Sequence, residues 1–251
     1  MSAETRWILG VQPVREAIAA HGERLLRVLV EARSDAAPQL EALARFAADR
    51  GAKVERVARA ALDRVAQGER HQGVAAEATP LAILDERAIV DQPARGEGAP
   101  LLIALDEITD PHNLGAIIRT AVALGADAIV WPEDKAAPLT PATGRASAGA
   151  IEHARLARVR SLPRTLDGLR EAGLEVIGLD AAGSDELHTV DLRGPTCLVV
   201  GAEGRGLRGS TKRACSRLAR LPMSGPIASL NASVAAGLAL YEVVRQRRTG
   251  R

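Results

Sequence analysis

The stretch Leu101-Leu-Ile-Ala-Leu-Asp-Glu-Ile-Thr-Asp-Pro-His-Asn-Leu-Gly-Ala-Ile-Ile-Arg119 decides how this chain folds. Its first five residues are an unbroken apolar run, the pattern of a strand buried on both faces of a parallel sheet. After a polar link the spacing changes to helical and predicts a helix over 114–125. Asn113 is placed as its N-cap, with Ile117, Ile118, Ala121 and Val122 on the buried side. Gly115 and Arg119 are four apart and share a helix face, so the missing side chain leaves room beside the guanidinium. A strand that runs directly into a helix is half of a βαβ unit, and in such sheets ligands gather where strands end.

The same alternation continues downstream. Strands are predicted at 128–131, 175–179, 196–200 and 217–221. A segment centred on Ser147 and Gly149 and a helix over 162–172 lie between them. From Pro100 onward the chain therefore reads as an open α/β domain with a mostly parallel sheet. Upstream, residues 1–78 read as a smaller α/β unit. Helices are predicted over 11–21 and 38–50, the second closed by Gly51, and strands over 25–30, 53–57 and 73–78. The turn Arg70-His71-Gln72-Gly73 is polar, and His71 reads as a turn or surface residue. Residues 79–99, with Pro80, Pro93, Gly96 and Gly98, read as a linker. The expected division is 1–78, linker 79–99, and 100–251.

Composition narrows the function. Of 251 residues 47% are hydrophobic, enough for a core. Two Trp, one Tyr and one Phe are too few to build base-stacking platforms. Net charge is only +2, but 205–220 carries Arg205, Arg208, Lys212, Arg213, Arg217 and Arg220 with no acidic residue. The tail adds Arg245, Arg247, Arg248 and Arg251. That asymmetry suits an anionic partner. The two cysteines, Cys197 and Cys215, form no metal-site spacing with histidine, so no metal is expected. Without a signal peptide or an 18-residue apolar span, a soluble cytoplasmic protein with no membrane partner is expected.

Two further stretches look like sites. Gly201-Ala-Glu-Gly-Arg-Gly-Leu-Arg-Gly209 follows a strand and contains a literal G-x-G-x-x-G. A dinucleotide fold needs a helix, a second strand and an acidic residue about 20 positions on. Here the next acidic residue after Glu203 is Glu242, so the nicotinamide-oxidoreductase reading has no context. The glycines are expected to admit a ligand to the backbone, with Glu203 at the strand's end. The second stretch runs from Leu221 to Leu238. Pro222, Gly225 and Pro226 make a stiff, tight loop. Ser229, Asn231 and Ser233 then open a helix on which Leu230, Val234, Leu238 and Tyr241 recur at helical spacing.

Asp110-Pro-His-Asn-Leu-Gly-Ala-Ile-Ile-Arg119, Gly201-Ala-Glu-Gly-Arg-Gly-Leu207 and Leu221-Pro-Met-Ser-Gly-(four residues)-Leu230-Asn231-Ala-Ser233 resemble, in order, the three motifs of the SpoU (TrmH-like) RNA ribose 2′-O-methyltransferases. Arg145-Ala-Ser-Ala-Gly-Ala-Ile-Glu152 resembles a further family segment, with arginine where lysine is common. Gly10-Val-Gln-Pro-Val-Arg-Glu-Ala17 and Arg70-His-Gln-Gly73 resemble the subgroup that methylates a guanosine of 23S ribosomal RNA. The resemblance implies a SPOUT domain whose C-terminal segment forms a deep trefoil knot, preceded by a small RNA-binding α/β domain. It implies a homodimer whose site draws on both subunits. It also implies S-adenosylmethionine held by backbone at Gly201, Leu221 and Leu230, with Met223 and Ser229 nearby. Arg119 would assist deprotonation of the ribose hydroxyl, or orient RNA and stabilise the alkoxide, since a guanidinium is a poor base. Asn113, Glu203, Ser229 and Asn231 would position these groups. Two other readings share these features: a transfer-RNA 2′-O-methyltransferase, and a non-catalytic RNA-binding ribosome-assembly factor.

Overall fold

A computed structural model describes residues 5–32, 38–96, 98–227 and 229–249; Arg251 of the basic tail lies outside them. In chain order the strands and helices begin with β1 (Arg6–Leu9), α1 (Val11–His21), β2 (Arg27–Glu31), α2 (Pro38–Asp49), β3 (Val54–Val57), α3 (Arg59–Ala66) and β4 (Val74–Ala78). There follow β5 (Ile83–Leu84), α4 (Glu86–Asp91), β6 (Leu101–Asp106), α5 (Pro111–Ala123), β7 (Ala128–Pro132), α6 (Pro141–Ala146) and β8 (Leu156–Val159). The chain ends with α7 (Leu162–Glu171), β9 (Glu175–Leu179), β10 (Asp185–Glu186), β11 (Thr196–Gly201), α8 (Gly209–Ala214), β12 (Arg217–Arg220) and α9 (Ala232–Thr249). Two compact units result. One comprises 1–81 with 139–153, the other 82–138 with 154–251.

The first unit is a sheet in the order β1-β4-β2-β3, antiparallel except for the β2–β3 pair. Val14, Ala17 and Ile18 of α1 and Leu43 and Ala47 of α2 cover one face, against Val28, Val30, Val74 and Ala76. Leu62 and Ala66 of α3 cover the other, against Leu9, Leu29 and Ala75. The segment 139–153 is held here by ion pairs. Glu152 is paired with Arg6 through both guanidinium Nη atoms, at 2.8 and 2.6 Å, and with His21 at 2.8 Å. Arg145 reaches Glu69 at 2.7 Å and His153 reaches Glu16 at 3.0 Å. Gly149, at φ +85°, lets this segment press on α1, since a Cβ there would stand 2.8 Å from the Pro13 Cα. His71 is not a surface residue. It is 5% exposed, with Nε2 3.0 Å from Asp63 and Nδ1 accepting the Gly73 N–H.

The second unit is an eight-stranded sheet in the order β10-β12-β9-β11-β6-β7-β8-β5, with every pairing parallel. All six residues of β6 are buried, as its apolar run requires. On one face Leu102, Ala104, Val130, Val159 and Val199 pack under Leu162, Leu166 and Leu169 of α7. On the other, α9 lies beside α5 and β11. Residues 82–99 contribute β5 and α4, with Ile89 fully buried.

Two sequence expectations change locally. The helix expected over 114–125 begins at Pro111 and ends at Ala123, and its cap is Asp110, not Asn113. The Asp110 carboxylate accepts from the backbone N–H groups of His112 (3.0 Å) and Asn113 (3.3 Å), with proline in the first turn. Asn113, relieved of capping, keeps its amide for other work. On α9 the helical stripe Val234, Leu238 and Tyr241 is exposed, at 49%, 48% and 58%. The buried face is Ala232, Ala236, Ala239, Leu240 and Val243, whose small residues let α9 approach the sheet closely.

Candidate active site

Strand order creates the crevice. From β6 the chain builds outward through β7 and β8, then crosses to β9, and β11 later fills the slot between β9 and β6. The carboxyl ends of β6 and β11 meet in register, Asp106 beside Gly201, at the point where the direction of winding reverses. Such a switch point is where open α/β sheets place ligands. Asp106, fully buried, accepts from the backbone N–H of Arg208 at 2.8 Å and from its Nε at 2.7 Å. That clamp holds the 202–208 loop over the end of β6.

Three of the residues singled out in the sequence meet above this clamp. Asn231 Nδ2 donates to Asn113 Oδ1 at 2.9 Å and to Glu203 Oε2 at 3.2 Å. Its Oδ1 accepts from the backbone N–H and the hydroxyl of Ser233, at 2.9 and 2.6 Å, and its carbonyl accepts the first helical bond, from Ala235. Asn231 is therefore both the N-cap of α9 and the hub joining the exits of β6 and β11. Asn113 and Glu203 also line a cavity of about 620 Å³, with Glu107, Asp110, Lys135 and Arg205 among its other walls.

The remaining candidates are placed differently. At Gly201 the side-chain position is taken up by the chain itself, since a Cβ there would lie 2.2 Å from the Gly206 carbonyl carbon. The space is filled by the chain's own turn, closed by the Gly206 N–H bond to Ala202 at 2.8 Å, with Gly204 and Gly206 at φ +76° and +66°. Leu221, Met223, Ser229 and Leu230 lie on the irregular stretch between β12 and α9. Main-chain groups of 221–227 and of 229–230 make no hydrogen bond to another described residue, nor does the Ser229 hydroxyl. Arg119 is exposed, six residues along α5 from Asn113, and makes no hydrogen bond or ion pair among the described residues. Six residues are about 9 Å of rise and 240° of turn, so Arg119 does not join the amide cluster of its own chain.

The sequence reading passed over the two carboxylates that fix the loops. Besides Asp106, Asp180 at the end of β9 is tied to Lys212 and to the Ala182 N–H. Burial pushes the Asp180 carboxyl up, but those donors outweigh it and hold it below its ordinary range. An aspartate at a strand's last residue or just past it, in a chain whose basic run lies at 205–220, was the available signal.

Residues 100–241 match the family model of the SpoU rRNA methylases. The chain belongs to that family. Residues 7–84 match the model for RNA 2′-O ribose methyltransferase substrate binding, so both units of this SpoU chain are accounted for. A relative from Pseudomonas aeruginosa, the 23S rRNA (guanosine-2′-O-)-methyltransferase RlmB, is 43% identical over 96% of this chain and 96% of its own length. The SpoU methyltransferase AviRb of Streptomyces viridochromogenes, solved with AdoMet, superposes with a TM-score of 0.77 at 28% identity, covering 98% of this chain and 92% of that one. An AdoMet-bound rRNA methyltransferase from Sinorhizobium meliloti gives 0.75 at 28% identity, over 96% and 87%. Among the described residues no helix is long and apolar enough to cross a membrane, and no cluster of His, Cys, Asp and Glu could hold a metal.

Proposed function

We propose that this SpoU chain transfers a methyl group from S-adenosylmethionine to the ribose 2′-hydroxyl of a guanosine in 23S rRNA. The observation that carries the reading is the Asn113–Asn231–Glu203 cluster, assembled at the sheet's switch point from three separate loops. The cofactor fits the stretch before α9. Its unpaired main-chain N–H and C=O groups, stiffened by Pro222 and Pro226, match a ligand read by backbone, with Leu221, Met223, Ser229 and Leu230 along it and Gly201 in the turn beneath. Bound there, S-adenosylmethionine supplies an electrophilic sulfonium methyl.

The protein's own part is orientation and charge. Attack must be in line, so fixing the ribose contributes much of the rate. Asn231, locked by the α9 cap, presents Asn113 and Glu203 in one fixed array to hold the hydroxyl. Arg119 stabilises the oxygen as it loses its proton. Its place on the exposed side of α5, away from its own cluster, suits service to a second copy. The apolar stripe Val234, Leu238 and Tyr241 is the surface on which such a copy would sit. The trefoil threading implied by the motifs belongs to the same reading.

Incubating the protein with labelled cofactor and unmodified 23S rRNA, 16S rRNA and transfer RNA tests it. Label is expected on a 23S guanosine ribose and absent with Arg119→Ala. Label on transfer RNA alone would reassign the substrate, and RNA binding without any transfer would make the chain an assembly factor.

A further inference from the structure

Helix α9 is fastened at both ends to the same two strands. At its start Asn231 joins Asn113, past the exit of β6, to Glu203, past the exit of β11. At its far end the Arg247 guanidinium joins the entries of that same pair. Its Nη1 donates to the Ala99 carbonyl at 2.8 Å and its Nη2 to that of Pro100 at 3.1 Å, just before β6. Nη2 also donates to the Gly194 carbonyl at 2.7 Å and Nε to that of Leu192 at 3.3 Å, just before β11. Gln246 adds a further tie, its Oε1 accepting the Leu192 N–H at 2.9 Å and its Nε2 donating to the Val190 carbonyl at 3.0 Å. Arg247 is therefore not part of the free charge of the basic tail. Backbone carbonyls hold it, with no ion pair to any described residue, and burial pushes its pKa down against the attraction of Asp127.

The spans match. Asn231 and Arg247 are sixteen residues apart, about 24 Å of helix. The strand path from Pro100 through β6 to Glu107 rises about 23 Å. Two other features leave the axial position of α9 loosely set. The stretch that feeds it makes no main-chain hydrogen bond over 221–227 and 229–230 to another described residue. Its buried face is mainly alanine, and small side chains offer shallow ridges against sliding.

We infer that Arg247 is a positioning residue for methyl transfer, which sets the axial register of α9 and so delivers Asn231 to Asn113 and Glu203. The inference rests on the methyltransferase reading and names what holds its hub in place. A planar guanidinium fork spread over carbonyls from both strand entries fixes a register that a single ammonium does not.

The test uses the full chain. Its only asparagines are Asn113 and Asn231, so protein labelled with nitrogen-isotope asparagine shows two side-chain amide pairs by NMR. The pair that vanishes in Asn231→Ala is the hub. Arg247→Met keeps the length and removes the donors. It is expected to move the Asn231 amide pair and to lower kcat about 10-fold or more with KM for RNA unmoved, as small misplacements of an orienting group do. Arg247→Lys should lie between and carries the same comparison where Arg247→Met does not fold. Ile89→Val trims a buried side chain on the opposite face of the sheet. It is expected to lower the melting temperature and to leave the amide pair and kcat where they were. If wild type methylates rRNA and Arg247→Met leaves the Asn231 amide or kcat unmoved, or Ile89→Val moves both as far, the inference is overturned and the function stands. If wild type transfers no label to rRNA the function falls, and the amide pair in Arg247→Met still decides whether Arg247 holds Asn231.

Discussion

At Asn231 one side chain performs two tasks that need opposite ends of an amide. Its oxygen caps α9 and its nitrogen bridges Asn113 and Glu203. Asn231→Asp keeps the acceptor but sets a carboxylate against Glu203 and against the Asn113 oxygen. Methyl transfer is expected to fall ~100-fold or more, as when a transition-state donor is removed, while the melting temperature moves by no more than a few degrees. Asn231→Ala loses the cap too, at a further cost of about 1 kcal/mol, readable by denaturant titration. Glu152 gives a prediction in pH. Burial pushes its carboxyl up, but hydrogen bonds from Arg6 and His21 outweigh this and hold it below its ordinary 4.5. A depressed carboxylate adds stability that is full above the unfolded value and is lost as pH falls through the folded one. Glu152→Gln should therefore cost about 2 kcal/mol at pH 7, and the gap should narrow once the pH falls below 4.5 and close as it passes through the lowered folded value. The identities of Asn113, Glu203 and Asn231 were legible in the sequence because their motifs are. Their mutual bonds were not, since Asn113 and Asn231 lie 118 residues apart. Asn113 was misplaced as a cap because Asp110, three residues earlier, competes for the same role and has a proline after it to fix the start.

Among elements, the buried strands were the easiest to read, since β6, β7, β9 and β11 each announce themselves by a continuous apolar run. The strand β1 did not: Arg6-Trp-Ile-Leu9 is four residues long and only half buried, so neither a run nor an alternation stands out. Helix α9 shows the limit of periodicity. Its most hydrophobic residues share one face, but alanines are what the sheet accepts, and spacing alone cannot say which side is covered by the same chain. Nor could the G-x-G-x-x-G stretch reveal that its turn closes on itself. Gly201→Ala is expected to displace the 202–207 turn, because its Cβ would overlap the Gly206 main chain. Cofactor affinity, measured by calorimetry, and transfer should both collapse. Gly204 meets nothing within 4 Å, though at φ +76°. Gly204→Ala should cost only the ~1–2 kcal/mol of a left-handed non-glycine residue and leave cofactor binding nearly intact. A reversed ranking would mean that the ligand, not the chain, fills the space at Gly201.

On the scale of the whole molecule, an exposed apolar stripe on α9 and an unpaired Arg119 on the neighbouring α5 ask for the same solution. Symmetric pairing would bury the first and could deliver the second to another copy's amide cluster, since a two-fold interface repeats every contact in both directions. Leu238→Glu should then sediment as a monomer and lose methyl transfer although its own Asn113, Asn231 and Glu203 are untouched. A sharper discrimination comes from mixing two inactive proteins. Arg119→Ala retains the cluster and lacks the guanidinium; Asn231→Ala retains the guanidinium and lacks the hub. If each site takes one part from each copy, a mixed dimer has one complete site and one lacking both parts. Random assortment of equal amounts after unfolding and refolding makes half the dimers mixed, so about a quarter of wild-type transfer should return. If each site is built within one chain, every site in the mixture still lacks one group and no activity returns. The same mixture of Leu238→Glu backgrounds should stay inactive in either case, which ties any recovery to the α9 face rather than to residual activity of one variant.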